Sequence, residues 1–132
     1  MDVKYFPYNG PANNLWDGAD CSAVQTAIMN DGNLGASSYE HVVAVLDGQY
    51  VSGAKGRGYE PGTFCWIWPS RACQYTLAHE IGHNCGLSDK YLKNPVRPGP
   101  DEKNLMNMCG CGGSTGCTRD GRLRYDQWSV VN

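Results

Sequence analysis

The sequence predicts a small α+β domain. Two apolar runs, His41–Leu46 and Thr63–Trp68, have strand length and are rich in β-branched or aromatic residues. Two longer stretches, Cys21–Asn30 and Arg71–Cys85, carry helical signals. Beyond Asp89 the regular patterning fades, and Pro, Gly and polar residues run on to Cys117.

In chain order, Val3–Tyr8 alternates weakly and is expected to be a strand. Asp20 is placed to cap a helix over Cys21–Asn30, where Ala23, Val24, Ala27 and Ile28 form an apolar stripe. Asn30-Asp31-Gly32 supplies the stop. The His41–Leu46 strand follows, closed by the turn signal Asp47-Gly48. Thr63–Trp68 is almost wholly apolar, as in a strand buried on both faces, so Trp66 and Trp68 are expected in the core rather than on a carbohydrate platform. Pro69-Ser70 ends that strand, and Ser70 is placed to cap a helix from about Arg71 to Cys85. Gly86 is where that helix should stop, because glycine tolerates the left-handed cap conformation. Asp89–Cys117 reads as an irregular loop pinned by cysteines. Leu123, Gln127, Trp128 and Val131 mark a short amphipathic helix with Asp120 as its cap. No repeat or linker divides the chain.

A chain of 132 residues fits one domain and can bury about two-thirds of its unfolded surface. The net charge of −2 is too small to point to nucleic acid or an acidic membrane surface. No apolar stretch approaches the ~18 residues of a spanning helix. A monomer free of both partners is expected. Residues 1–10 lack the basic start and apolar run of a signal peptide, so Met1 is expected to be an added start or the edge of a trimmed mature domain.

Seven cysteines in so short a chain predict a secreted, disulfide-bonded protein. They do not fall into the paired C-x₂-C framework of a cytosolic zinc module. The odd number leaves at least one thiol free or bonded to another chain. Any six of them allow about 15 pairings, so the connectivity stays open. Cys65 and Cys73 flank a strand-to-helix turn and are candidates for one bridge. Cys109, Cys111 and Cys117 are candidates for tying their loop to Cys85 or Cys21.

The chemistry concentrates in Thr76–Asp89, which reads H-E-x-x-H-x-x-G-x-x-D from His79 onward. On a helix, His79 and His83 share one face and offer two imidazoles to a single Zn²⁺. The same face cannot offer a third donor, because the next turn would have to bend around the metal. Gly86 turns the chain, and Asp89 returns toward the ion with a carboxylate. A catalytic zinc keeps three protein ligands and one open position for water. Glu80 is placed to take a proton from that metal-activated water and pass it to the departing amine. The reaction implied is hydrolysis of a peptide bond without a covalent intermediate. A bare H-E-x-x-H is often ordinary helix sequence. Its extension to Gly86 and Asp89, and the placement of two of the chain's three histidines here, narrow that reading.

The chain resembles the metzincin zinc peptidases, whose motif is H-E-x-x-H-x-x-G-x-x-H/D. It is most similar to their snapalysin branch, small secreted neutral proteases of streptomycetes that use aspartate as third ligand. His79–Tyr91 carries the likeness, with weaker support from Gly56-Arg57-Gly58-Tyr59 and from Asn104-Leu105-Met106, which resembles the family's methionine turn. The resemblance implies an N-terminal twisted mixed sheet with two helices (residues 1–86) and a short irregular C-terminal part ending in a helix (residues 87–132). It implies zinc on His79, His83 and Asp89, Glu80 as general base, and Met106 as an apolar floor under the histidines. Met106 is favoured over Met108 because it follows Leu105 directly. Some relatives place a tyrosine two residues after that methionine; here the position is Met108. The insertion Lys93–Lys103, with prolines at 95, 98 and 100, alters one wall of the expected cleft.

Gly58 and Tyr59 are candidates for a substrate-binding edge strand, against an ordinary turn-rich loop. Tyr91 is a candidate to support the third ligand, against plain packing. His41 is expected to be structural or exposed. Asp101-Glu102 is a candidate for Ca²⁺, with a solvated acidic pair as the better reading. Arg119, Arg122 and Arg124 read as a solvated face. Two rival functions remain: a gluzincin-type peptidase with a distant acid such as Glu102 as third ligand, and a zinc-stabilised binding or toxin domain that does not cleave. A deuterolysin-like reading lacks its downstream G-T-x-D segment.

Overall fold

Residues 1–72, 75–93, 96–97, 104–107, 123 and 127 are described by the computed structural model. Within them the chain is a small α+β fold. In order they form β1 (Leu15–Trp16), α1 (Gly18–Asn30), a 3₁₀ turn at Ala36–Ser38, β2 (Val42–Val45), β3 (Gln49–Tyr50), β4 (Gly56–Gly58), β5 (Phe64–Ile67), α2 (Thr76–Asn84), β6 (Leu92–Lys93) and β7 (Val96–Arg97).

The central sheet is mixed, in the order β2-β5-β4. β2 runs parallel to β5, with Val42 opposite Phe64 and Val45 opposite Ile67. β4 runs antiparallel to β5, with Gly56 opposite Ile67 and Gly58 opposite Cys65. β1 and β3 form a small parallel pair, and β6 and β7 an antiparallel one. Alternation along β5 assigns its two faces. Phe64, Trp66 and Trp68 join Cys21 and Val24 of α1 in one buried cluster. Cys65 and Ile67 lie on the opposite face with Gly56 and Gly58, which abut α2. The sheet is therefore covered by a helix on each side, which is why Phe64–Ile67 is buried throughout. The two tryptophans belong to the core as expected.

Four sequence expectations need correction. Asp17, not Asp20, caps α1. Its side chain accepts the N–H groups of Ala19 at 2.7 Å and Asp20 at 2.9 Å, while Asp20 accepts the Asp17 N–H at 3.0 Å. This is a reciprocal capping box, so Asp20 is its second member and the helix starts at Gly18. The stripe on α1 is rotated as well: Cys21 and Val24 are buried with Ile28 and Met29 beside them, and Ala23 is exposed. Val3–Tyr8 is not a strand, and Val3 and Tyr5 stand in solvent. Pro7 has no N–H for a ladder, and no described strand pairs with the segment. Finally, α2 begins at Thr76 rather than Arg71 and has no side-chain cap. Arg71 and Ala72 instead close a turn on the Trp68 carbonyl, and the Ser70 hydroxyl bonds the Gly48 carbonyl at 2.7 Å.

Gly48 shows why the Asp47-Gly48 turn needs glycine. Its φ is +93°, and a Cβ there would meet the Asn14 carbonyl oxygen at 2.2 Å. The loop expected after Asp89 contains the β6–β7 pair. The expected C-terminal helix, with Asp120, Trp128 and Val131, lies outside the described residues apart from Leu123 and Gln127. So do Asp101-Glu102, Met108, Arg119, Arg122, Arg124, Cys73, Cys109, Cys111 and Cys117.

Cys21, Cys65 and Cys85 are free thiols, so neither a Cys65–Cys73 bridge nor one from Cys21 or Cys85 is formed. Cys21 and Cys65 are packed in the interior as small apolar side chains. Burial pushes their thiols up to about 11 and about 12. Cys85 is partly exposed, with its sulfur 3.8 Å from Nε2 of the exposed His41. In the native protein at pH 8, iodoacetamide is expected to label Cys85 and spare Cys21 and Cys65, read by peptide mass mapping. Native labelling of Cys65 would contradict its burial. The same shifts lower stability at alkaline pH. Unfolded thiols ionise near 9.0, while the folded ones hold their protons to about 11 and 12, so unfolding is favoured progressively above pH 9.

Candidate metal centre

Helix α2 presents His79 and His83 one turn apart, with ring centroids 4.8 Å apart and planes at 89°. Each ring is oriented by its other nitrogen. His79 Nδ1 donates to the Leu105 carbonyl at 2.9 Å, and His83 Nδ1 donates to the Leu87 carbonyl at 2.8 Å. Those bonds leave both Nε2 lone pairs free to bind a cation. Asp89 Oδ1 lies 3.4 Å from His79 Nε2 and 3.2 Å from His83 Nε2. The three side chains can hold a metal ion, with donor atoms all within 4.8 Å of one another. The Asp89 hydrogen bond and charge outweigh burial, which pulls the other way, and raise the proton affinity of His83. The site is thus built to attract positive charge.

Gly86 makes the return of Asp89 possible. It adopts φ +85° after the Cys85 cap. The Gly86 N–H bonds the His83 carbonyl at 2.8 Å and the Leu87 N–H bonds the Gly82 carbonyl at 2.9 Å. This paired closure is a Schellman motif, with Gly86 at the left-handed position. Leu87 is buried against Leu105 and Met106, so the chain leaves the helix toward the metal donors. The Tyr91 hydroxyl bonds the Asp89 carboxylate. Burial and the Asp89 charge push the phenol up to about 12. Tyr91 thus contacts the carboxylate of the His79–His83–Asp89 group.

Met106 is fully buried beneath α2. A Cβ on Gly82 would come within 2.6 Å of the Met106 sulfur, so Gly82 is small because the methionine floor passes directly below it. The turn is held by a buried amide pair. Asn104 Nδ2 donates to Gln127 Oε1 at 2.6 Å, and Asn104 Oδ1 accepts the Met106 N–H at 2.9 Å. This fixes the Leu105 carbonyl that orients His79. Gly82→Ala is expected to push Met106 aside, lower metal affinity about tenfold and cost about 1–3 kcal/mol of stability. Competitive metal titration and thermal melting check this; unchanged affinity would show that the floor does not govern the ligands.

Glu80 is buried, and that burial pushes its carboxyl above the usual range against the pull of His79, His83 and the Gly58 N–H. β4 lies so close that a Cβ on Gly56 would meet the Glu80 carboxylate at 2.6 Å, and one on Gly58 the Glu80 carbonyl at 2.6 Å. The Gly-Arg-Gly sequence is the condition for this contact. Together these elements enclose a cleft of about 300 Å³, with Gly56, Arg57, Gly58 and Glu60 on one wall, His79, Glu80 and His83 at the base, and Asp89 and Tyr91 beyond.

No known protein-family model, curated protein or solved structure matches the chain.

His79, Glu80, His83 and Asp89 converge as their spacing predicts, and Gly58 lines the cleft. Tyr59 does not line it; its ring packs edge-on against Trp66 at 5.3 Å. Sequence reasoning missed three contributors. Glu60 carried no motif. The packing reason for Gly56 was not read from its glycine, although two glycines alternating on a strand signal a close approach. The Asn104–Gln127 pair spans 23 residues and leaves no local trace.

Proposed function

We propose that this chain is a secreted, zinc-dependent endopeptidase of metzincin type that hydrolyses protein or peptide substrates. The carrying observation is the placement of Asp89 Oδ1 at 3.4 and 3.2 Å from the two histidine nitrogens, with Glu80 buried beside them. Zinc binds nitrogen and carboxylate oxygen at about 2.0–2.1 Å, so neighbouring donors on its tetrahedron stand about 3.3 Å apart. The Asp89–histidine distances fit that edge length. The paired nitrogen and single carboxylate donors also suit zinc better than calcium or magnesium, which take oxygen ligands. Met106 beneath the histidine helix and the glycine return to Asp89 support the metzincin reading.

When bound, zinc supplies an acidified water and a Lewis acid for the scissile carbonyl. Glu80 accepts the proton and delivers it to the leaving amine. His79 and His83 are held in the ligand tautomer by the Leu105 and Leu87 carbonyls. Tyr91 steadies Asp89. β4 is an edge of the described sheet beside the cleft, and it offers its backbone to an extended peptide. The nearby Asp89 removes the need for a distant third ligand. A carboxylate buried beside the metal donors has a use in catalysis and none in a purely structural site. Secretion is supported by the cysteine content; the three free thiols leave Cys73, Cys109, Cys111 and Cys117 for disulfides.

The purified protein is expected to digest casein or gelatin and to lose that activity with 1,10-phenanthroline. Mass spectrometry should find new peptide termini. Digestion that persists in the chelator would reject the zinc mechanism.

A further inference from the structure

We propose that Glu60 selects a lysine or arginine side chain in the peptide bound across the cleft. The proposal rests on the peptidase reading for the presence of a peptide.

Most charged groups lining the cleft are already engaged. His79, His83 and Asp89 face one another as metal donors, and Glu80 is buried behind them. The Arg57 guanidinium donates to the Tyr50 hydroxyl at 2.5 Å and lies over the Tyr50 and Tyr59 rings at 5.6 and 5.7 Å. Glu60 differs. Its side chain is 38% exposed at the wall of the cleft. It accepts a hydrogen bond from the Ser88 hydroxyl, a neutral donor that fixes the carboxylate and leaves its charge. Its ion-pair contact among the described residues is His83 Nδ1 at 3.9 Å. That nitrogen already donates to the Leu87 carbonyl at 2.8 Å. Glu60 therefore presents a carboxylate to the cleft that no lysine or arginine among the described residues engages.

The position also matters. Glu60 follows the edge strand β4 by two residues, so an extended peptide along that edge passes beside it. A lysine ammonium or arginine guanidinium there gains a charge-assisted hydrogen bond, and an acidic side chain meets repulsion. The partner is thus a peptide with a basic residue close to the scissile bond.

Binding should be measured on zinc-loaded Glu80→Gln protein, so that cleavage does not consume the probe. Peptide sets would carry lysine, norleucine or glutamate at each of three positions on either side of the scissile bond. At one position lysine should bind about fivefold more tightly than norleucine, and glutamate more weakly than both. Raising the salt should shrink that margin. Adding Glu60→Gln should abolish it, whereas Glu60→Asp, which keeps the charge, should retain a lysine preference. Equal binding of all peptides, no measurable binding, or a lysine preference that survives Glu60→Gln overturns the assignment. A Glu60-dependent preference in a protein whose wild type cleaves nothing would uphold it and overturn the peptidase reading instead.

Discussion

Glu80→Gln is expected to keep zinc bound and to cut kcat by about 10²–10⁴-fold, a barrier increase of about 3–5 kcal/mol. Glutamine preserves the shape of the side chain in its tight pocket under Gly56 and Gly58. It cannot accept the proton. Because Glu80 is buried and its charged form is disfavoured there, replacing it with a neutral amide should not lower the melting temperature. Loss of turnover at unchanged zinc content and stability would assign the base to Glu80. A variant that still cleaved at the wild-type rate would remove Glu80 from the mechanism.

Asp89→Ala is expected to weaken zinc binding by more than 100-fold and to abolish cleavage at stoichiometric zinc. Residues that merely support a ligand contribute about 10–100-fold in metal affinity, and Asp89 is proposed as a ligand itself. The substitution also strips Tyr91 of its hydrogen-bond acceptor and His83 of the carboxylate that raises its proton affinity. The expected loss appears in competitive zinc titration, with the melting temperature of the metal-free protein as control. Undiminished zinc binding would move the third ligand elsewhere and revive the distant-acid alternative.

The centre of this site was legible because its information is local. His79, Glu80 and His83 lie within one helical turn, and Gly86 fixes the turn that returns Asp89 to them. The β5 strand was legible for a similar reason, since an unbroken apolar run of strand length leaves few alternatives. Errors arose where two local solutions compete. Asp17 and Asp20 are both good caps, and only the reciprocal bonds between them decide which one starts the helix. Ser70 looks like a cap after Pro69, yet the carbonyl it serves belongs to Gly48. Val3–Tyr8 alternates as a strand should, but alternation does not supply a neighbouring strand or a surface to cover. Contacts between distant residues were invisible for a more basic reason. Glu60 meets Ser88 across 28 residues and Asn104 meets Gln127 across 23, with no periodicity to announce either pair.

The most direct test of a zinc-dependent peptidase built on His79, His83, Asp89 and Glu80 is a zinc titration of proteolysis. Protein stripped with a chelator and dialysed free of it would be assayed on casein at increasing zinc. Cleavage should be absent at the start, rise with added zinc and level off at about one zinc per chain. No cleavage at any zinc concentration, or a rate independent of zinc, would contradict that function.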